Sequence, residues 1–241
     1  MWLSYRKFGE GSPRSPLLVV EVSTSMPQYK ALYSQGRELA EYMLKKMEFT
    51  KVGTFYGSAF PPEVLVRDDG LATLPECSFY LGGGKKKVLL FAGDTSPMEE
   101  QYAFAKAMLK KSEEFGVREL YSIGARWAEN PTSPEVDPEP SGFSTDSVGV
   151  EKLKKAGVKV LKEEPAPFFS SMVVAMAKAH GIRGYKLAVD HGEPSPHVRS
   201  VLKMLDLLSK MTGIEVDLEE LRTAVKAPAT PKQLGNATIY Q

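Results

Sequence analysis

Two aspartates close apolar runs in this chain. Asp94 follows Val88-Leu89-Leu90-Phe91-Ala92-Gly93, and Asp190 follows Tyr185-Lys186-Leu187-Ala188-Val189. In open α/β sheets ligands sit at the carboxyl ends of strands, so a carboxylate there is placed to reach a substrate. His191, Glu193 and His197 come soon after Asp190 and complete a set that a metal or a hydrolase could use. Their spacing matches no zinc pattern such as HExxH, and Asp before Ser-Pro or Gly-Glu-Pro is also ordinary turn chemistry. Cys77 is the single cysteine, without a surrounding nucleophile signature, and reads as a buried structural thiol. Gly82-Gly83-Gly84-Lys85-Lys86-Lys87 precedes a strand instead of leading into a helix, so it reads as a solvated hairpin turn and not as a phosphate-cradling loop. There is no GxSxG elbow and no GxGxxG, and three histidines are too few and too unpatterned to assign a general base. These residues point to a non-enzymatic protein with no cofactor and no metal. The alternative is a hydrolase or nucleoside-handling enzyme that uses Asp94, Asp190 and His191.

The elements that would position them follow from periodicity. The spacing predicts strands over 17–22, 51–56, 63–67, 71–74, 78–81, 88–92, 119–124, 158–162 and 185–189. Ser25 with Gln28 three residues later opens a helix whose face carries Leu32, Leu39, Met43 and Met47. Ser96-Pro97-Met98-Glu99 reads as the capped start of a second helix that ends at Gly116. Further helices are predicted over 148–156, 170–180 and 196–211, and Asp217 caps a last one over 218–225. The stretch 126–143, with four prolines, reads as a long loop. Strands alternating with helices imply right-handed crossovers, and the early hairpin adds antiparallel strands at one edge. The expectation is a three-layer α/β/α domain over 1–226 with a mixed, mostly parallel sheet.

Composition excludes other classes. Lys+Arg 31 against Asp+Glu 30 leaves a net charge of +1, without the basic excess of a nucleic-acid binder. No apolar run approaches a membrane span, and the first residues are broken by Arg6, Lys7, Glu10 and two prolines, unlike a signal peptide. One cysteine fits a reducing compartment, so a cytoplasmic location is expected, with neither nucleic acid nor membrane as partner. After Lys226 the period is lost. Residues 227–241 carry two prolines and cannot bury enough surface to offset their ordering entropy, so they are expected to form a flexible tail.

From Leu17 to Leu221 the chain resembles the proteasome assembly chaperone 2 family, in its archaeal branch. Four segments carry the resemblance. They are Phe55-Tyr56-Gly57-Ser58-Ala59-Phe60-Pro61-Pro62 with Val64-Leu65-Val66, Leu89 to Pro97 (LLFAGDTSP) with Gln101-Tyr102, Tyr121-Ser122-Ile123-Gly124-Ala125, and Gly213 to Leu221 (GIEVDLEEL). The chain departs from the family at two glycine-rich turns, where it has Ser23-Thr24-Ser25-Met26-Pro27 and Pro165-Ala166-Pro167-Phe168-Phe169. The resemblance implies a phosphorylase/hydrolase-like fold and an ATP-independent, homo-oligomeric protein that acts on the proteasome core particle. Ile239-Tyr240-Gln241 is similar to the hydrophobic-Tyr-X tails of proteasome activators, which enter pockets between α subunits of the 20S ring and favour the open gate. Those three residues are the expected proteasome-binding site.

Overall fold

The computed structural model describes residues 2–8, 16–22, 30–66, 69–127, 139–163, 165–166, 168–191 and 197–226. Among them the strands are β1 (Leu3–Lys7), β2 (Leu17–Val22), β3 (Phe49–Gly57), β4 (Leu65–Val66), β5 (Ala72–Thr73), β6 (Cys77–Gly82), β7 (Val88–Gly93), β8 (Glu119–Trp127), β9 (Pro140–Ser144), β10 (Lys159–Val160) and β11 (Arg183–His191). The helices are α1 (Lys30–Lys46), α2 (Gln101–Glu114), α3 (Ser147–Ala156), α4 (Phe169–Ala177), α5 (Val198–Thr212) and α6 (Glu219–Lys226).

Nine strands form one mixed sheet in the order β1-β3-β6-β7-β2-β8-β11-β9-β10. The central run β7-β2-β8-β11 is parallel throughout. Antiparallel pairing flanks it on both sides, through β1-β3-β6-β7 and through β11-β9, rather than at one edge. β4 and β5 form a separate two-stranded hairpin.

The alternation of buried side chains divides the core into two faces, as period 2 requires of a covered sheet. Leu17, Val19, Tyr121, Leu187 and Val189 pack against α1, α3, α5 and α6. Leu18, Val20, Leu89, Phe91 and Leu120 pack against α2 and α4. The second face is rich in phenylalanine: the Phe79 and Phe91 rings lie 4.6 Å apart, and Phe104 of α2 lies 5.5 Å from Phe55 and 5.7 Å from Phe169 of α4. Each such ring contributes roughly 1.5–3 kcal/mol of burial. The result is the three-layer α/β/α arrangement expected from the sequence.

Three local expectations differ. β1 was not anticipated; it is an edge strand whose Leu3 and Tyr5 pack on the core while Ser4 and Arg6 face out. The stretch 126–143 is not all loop, because β8 continues to Trp127 and β9 begins at Pro140. β9 runs along β11 from Tyr185↔Ser144 to Val189↔Pro140, where tertiary pairing overrides the low strand propensity of Pro and Gly. α2 starts at Gln101 rather than near Ser96, because the N–H groups of Met98 and Glu99 both donate to the Ala59 carbonyl and Ser96 makes no cap. The expected start of α1 at Ser25 and Gln28 lies outside the described residues.

Candidate functional site

The carboxyl ends of the parallel strands are where the fold would hold a ligand. Asp94 sits there, just past β7, and is tied to the start of β6: its N–H donates to the Glu76 carbonyl at 3.0 Å, and the Glu76 N–H donates to Asp94 Oδ2 at 3.3 Å. A cleft of about 120 Å³ lies beside it, lined among others by Glu21, Arg37, Glu41, Glu76 and Asp94. The charges in this cleft answer one another. Arg37 Nε donates to Glu41 Oε1 at 2.9 Å, and that bond, with the fields of Asp94 and Glu21, holds the guanidinium above its ordinary pKa. Burial pushes the Glu76 carboxyl up, but hydrogen bonds from Lys51, Tyr56 and Ser78 outweigh it and leave the group below the usual range. Among the described residues no group of His, Cys, Asp and Glu is arranged to hold a metal ion.

Asp190 and His191 end β11, in register with Arg126 and Trp127 of β8. Their backbone is described, their side chains are not. β11 stands three strands from β7 in the sheet, so the backbones of Asp94 and Asp190 are about 14 Å apart at ~4.8 Å per strand. The two aspartates are thus not brought to one reacting atom by the sheet. Glu193 lies outside the described residues. His197 is fully buried at the N-cap of α5: its N–H donates to Glu38 Oε2 at 2.6 Å, and its Nδ1 lies 3.2 Å from Glu38 Oε1, so it fastens α5 to α1.

The other sequence candidates have structural roles. Cys77 is buried, its thiol pushed well up by burial, and it donates to the Thr95 carbonyl at 3.5 Å. Gly82-Gly83-Gly84 with the three lysines is the β6–β7 turn; Gly83 takes φ 89°, and Lys87 Nζ donates to its carbonyl at 2.9 Å. Ile239, Tyr240 and Gln241 lie outside the described residues, as does all of 227–241. The last described helix, α6, is held on α1 and α5 by Lys46–Glu220 at 2.8 Å and Arg222–Asp206 at 3.3 Å.

Two polar groups were missed. At the amino ends of β8 and β11, the rings of Tyr121 and Tyr185 stack at 4.6 Å and 8°. Their hydroxyls donate to Glu119 at 3.0 and 3.2 Å, and Lys152 of α3 closes the cluster with 3.1–3.2 Å contacts to the same carboxylate. Burial and the Glu119 charge raise the pKa of both phenols, that of Tyr185 to about 12. This end of the sheet carries stability, and its charges are paired.

The second group lies in the middle of the sheet, one residue further along β8 and β11, on the α4 side. Lys186 of β11 is buried, 6% exposed, and its Nζ donates to Ser170 Oγ at 2.9 Å. Burial lowers its pKa to about 7 against a weaker opposing pull from Glu21. It has space because residue 124 is glycine; a Cβ there would stand 2.6 Å from Nζ. The hydroxyls of Ser122, its register partner on β8, and Ser141 on β9 are buried without a hydrogen-bond partner. Ser170 is in the first turn of α4, after Phe168 at φ 79°, ψ 151°, a backbone region that is essentially glycine's. The sequence signal was a lone lysine inside the apolar run Tyr185-Lys186-Leu187-Ala188-Val189.

Comparison with known proteins agrees with this architecture. The family model of the PAC2 family matches residues 35–229. An uncharacterized protein of Methanocaldococcus jannaschii is 25% identical over 197 residues, covering 79% of this chain and 74% of that protein. Among solved structures, PbaB of Pyrococcus furiosus, described as an archaeal proteasome activator, superposes with a TM-score of 0.78 at 19% identity, covering 93% of this chain and 94% of that one. PbaA of the same organism, described as an archaeal homolog of proteasome-assembly chaperone, gives 0.70 at 19% identity over 92% and 90%.

Proposed function

The chain belongs to the PAC2 family, the proteasome assembly chaperone family its sequence resembles, and on that premise we propose that it binds the 20S proteasome through its C-terminal tail. The observation that carries the reading is Ile239-Tyr240-Gln241 at the end of a proline-containing segment. In this reading Gln241 is the terminal residue, and its carboxylate pairs with a lysine at the floor of a pocket between two α subunits, a charge-assisted bond strengthened by partial burial. Tyr240 brings apolar area and a hydroxyl, and Ile239 fills an apolar niche. Residues 227–241 act as a tether whose reach, at ~3.3 Å per residue, is at most ~50 Å. Docked tails favour an open gate or a completed α ring. Neither outcome needs turnover, ATP or a cofactor, and both place the protein in the cytoplasm with its partner.

One three-residue tail binds weakly, so the mechanism calls for several on one particle, where effective concentration raises avidity. A second copy of this chain is the proposed occupant of the β4–β5 hairpin. That hairpin exposes Val64, Val66, Leu71 and Leu74, Val66 by 72%, and two-residue strands have little independent stability. The folded body is then a platform that spaces tails rooted at α6. The likeness in fold to a protein described as a proteasome activator supports the same reading.

The test is removal of residues 239–241. The truncated chain keeps its melting temperature and its assembly state but is no longer retained by immobilised 20S core particle, and it no longer speeds hydrolysis of a gated peptide substrate. If the truncated chain still binds and stimulates, the tail mechanism is wrong.

A further inference from the structure

Ser170 and Lys186 are arranged as a reactive pair, with a half-buried serine in front and a buried amine behind it. We propose that Ser170 is a nucleophile with Lys186 as its base, able to accept an acyl group from small esters in the manner of Ser–Lys hydrolytic pairs. This lies beyond the proteasome-binding role and uses none of the residues assigned to it.

The supporting features are independent of one another. A lysine ammonium has three donors, and among the described residues Lys186 spends one, on Ser170. Among the described residues its one polar contact is with that hydroxyl, and no carboxylate forms an ion pair with it. Of its surroundings, α4 has no ionisable side chain in its nine residues, β8 offers Ser122 and Gly124, β9 offers Phe143, and the charge that acts on it is Glu21 of β2, whose pull is weaker than the effect of burial. Such a setting favours the neutral amine, whose lone pair can take the Ser170 proton. Ser122, the register partner of Lys186 on β8, adds a fully buried hydroxyl without a hydrogen-bond partner, a second polar group on this face that the fold does not use. The N–H groups of Phe169 and Ser170, in the first turn of α4, have no intrahelical acceptor and are the donors the proposal assigns to a developing oxyanion. Phe168 holds that turn in a strained backbone, as nucleophile-bearing turns commonly are.

The steps balance without a further reagent. Ser170 Oγ bonds to the acyl carbon while its proton passes to Lys186 Nζ. The bond to the alcohol oxygen breaks, and the leaving oxygen takes the proton from Nζ. Water then repeats the sequence, with Lys186 as base, and releases a carboxylic acid and free Ser170.

The experiment treats the full-length folded chain with a fluorophosphonate, which phosphonylates an activated serine with loss of fluoride, and maps the adduct by peptide mass. A single adduct on Ser170 is expected, forming faster as pH rises from 6 to 8 while Lys186 loses its proton. Ser170→Ala removes the adduct, and Lys186→Met slows it at least tenfold while its melting temperature stays at or above that of the parent. A p-nitrophenyl acetate burst follows the same pattern. An unmodified Ser170 in the parent chain, or a rate indifferent to Lys186→Met, overturns the proposal. The two functions separate cleanly: the chain lacking 239–241 keeps its Ser170 adduct, and Ser170→Ala keeps proteasome binding.

Discussion

Replacing Lys186 with methionine removes a buried charge but keeps an unbranched side chain of similar length. The ammonium's pKa falls from 10.5 in the open chain to about 7 in the folded one. That gap of about 3.5 units, at ~1.4 kcal/mol per unit, is an upper bound of about 5 kcal/mol on what protonated Lys186 costs the fold. Losing the bond to Ser170 returns roughly 1 kcal/mol, so Lys186→Met should stabilise the protein by about 2–4 kcal/mol at pH 6. The sign with pH follows from linkage. Below about pH 7 both states hold the proton and the full cost is present. Between about 7 and 10.5 the unfolded chain holds a proton that the folded one lacks, so parent stability rises with pH through that window. Urea unfolding at pH 6, 8 and 10 reads this directly: the parent gains up to about 4 kcal/mol over the 3 pH units above 7, so the advantage of the variant should be largely gone at pH 10. A difference that does not change with pH would mean that Lys186 stays charged when folded, and the reasoning would fail.

Two further substitutions probe other features. Phe168→Gly relieves a backbone that only glycine adopts at ease and forfeits little packing, since Phe168 is 52% exposed; after the entropic cost of glycine a gain of about 1 kcal/mol in urea unfolding is expected, and a loss would show that the ring is anchored. Val66→Asp with Leu71→Asp charges the β4–β5 hairpin and should lower the mass seen by sedimentation without shifting the melting temperature of the body; an unchanged mass would put any self-contact elsewhere.

The parallel core was legible because its strands are fully covered, and full coverage writes itself as continuous apolar runs such as Val88-Leu89-Leu90-Phe91. α3 was equally plain: Asp146 accepts from the Gly149 N–H at 2.7 Å and Gly157 closes the helix at φ 85°. What escaped depends on neighbours. β1 exists because β3 offers it an edge, and β9 because β11 does. The start of α2 moved because a distant carbonyl, Ala59, took the N–H groups that Ser96 could have capped. Asp94 drew attention as a carboxylate at a strand end, yet its bonds tie two loops together. Lys186 stood in plain sight, but periodicity reports that a position is inside, and only the fold reports who shares the inside with it.

The place of β2 in the sheet bears on how the chain comes into being. Residues 17–22 lie early in the sequence, yet their neighbours are β7, at 88–93, and β8, at 119–127. Until those segments have been synthesised, Leu17-Leu18-Val19-Val20 has no partner for either edge, while β6 and β7 can close locally as a hairpin. Nucleation at the centre is therefore late and long in contact order, and a nascent chain carries an uncovered apolar strand until residues 88–127 have been made. Yield of soluble protein should depend on temperature and synthesis rate more steeply than its final stability would suggest.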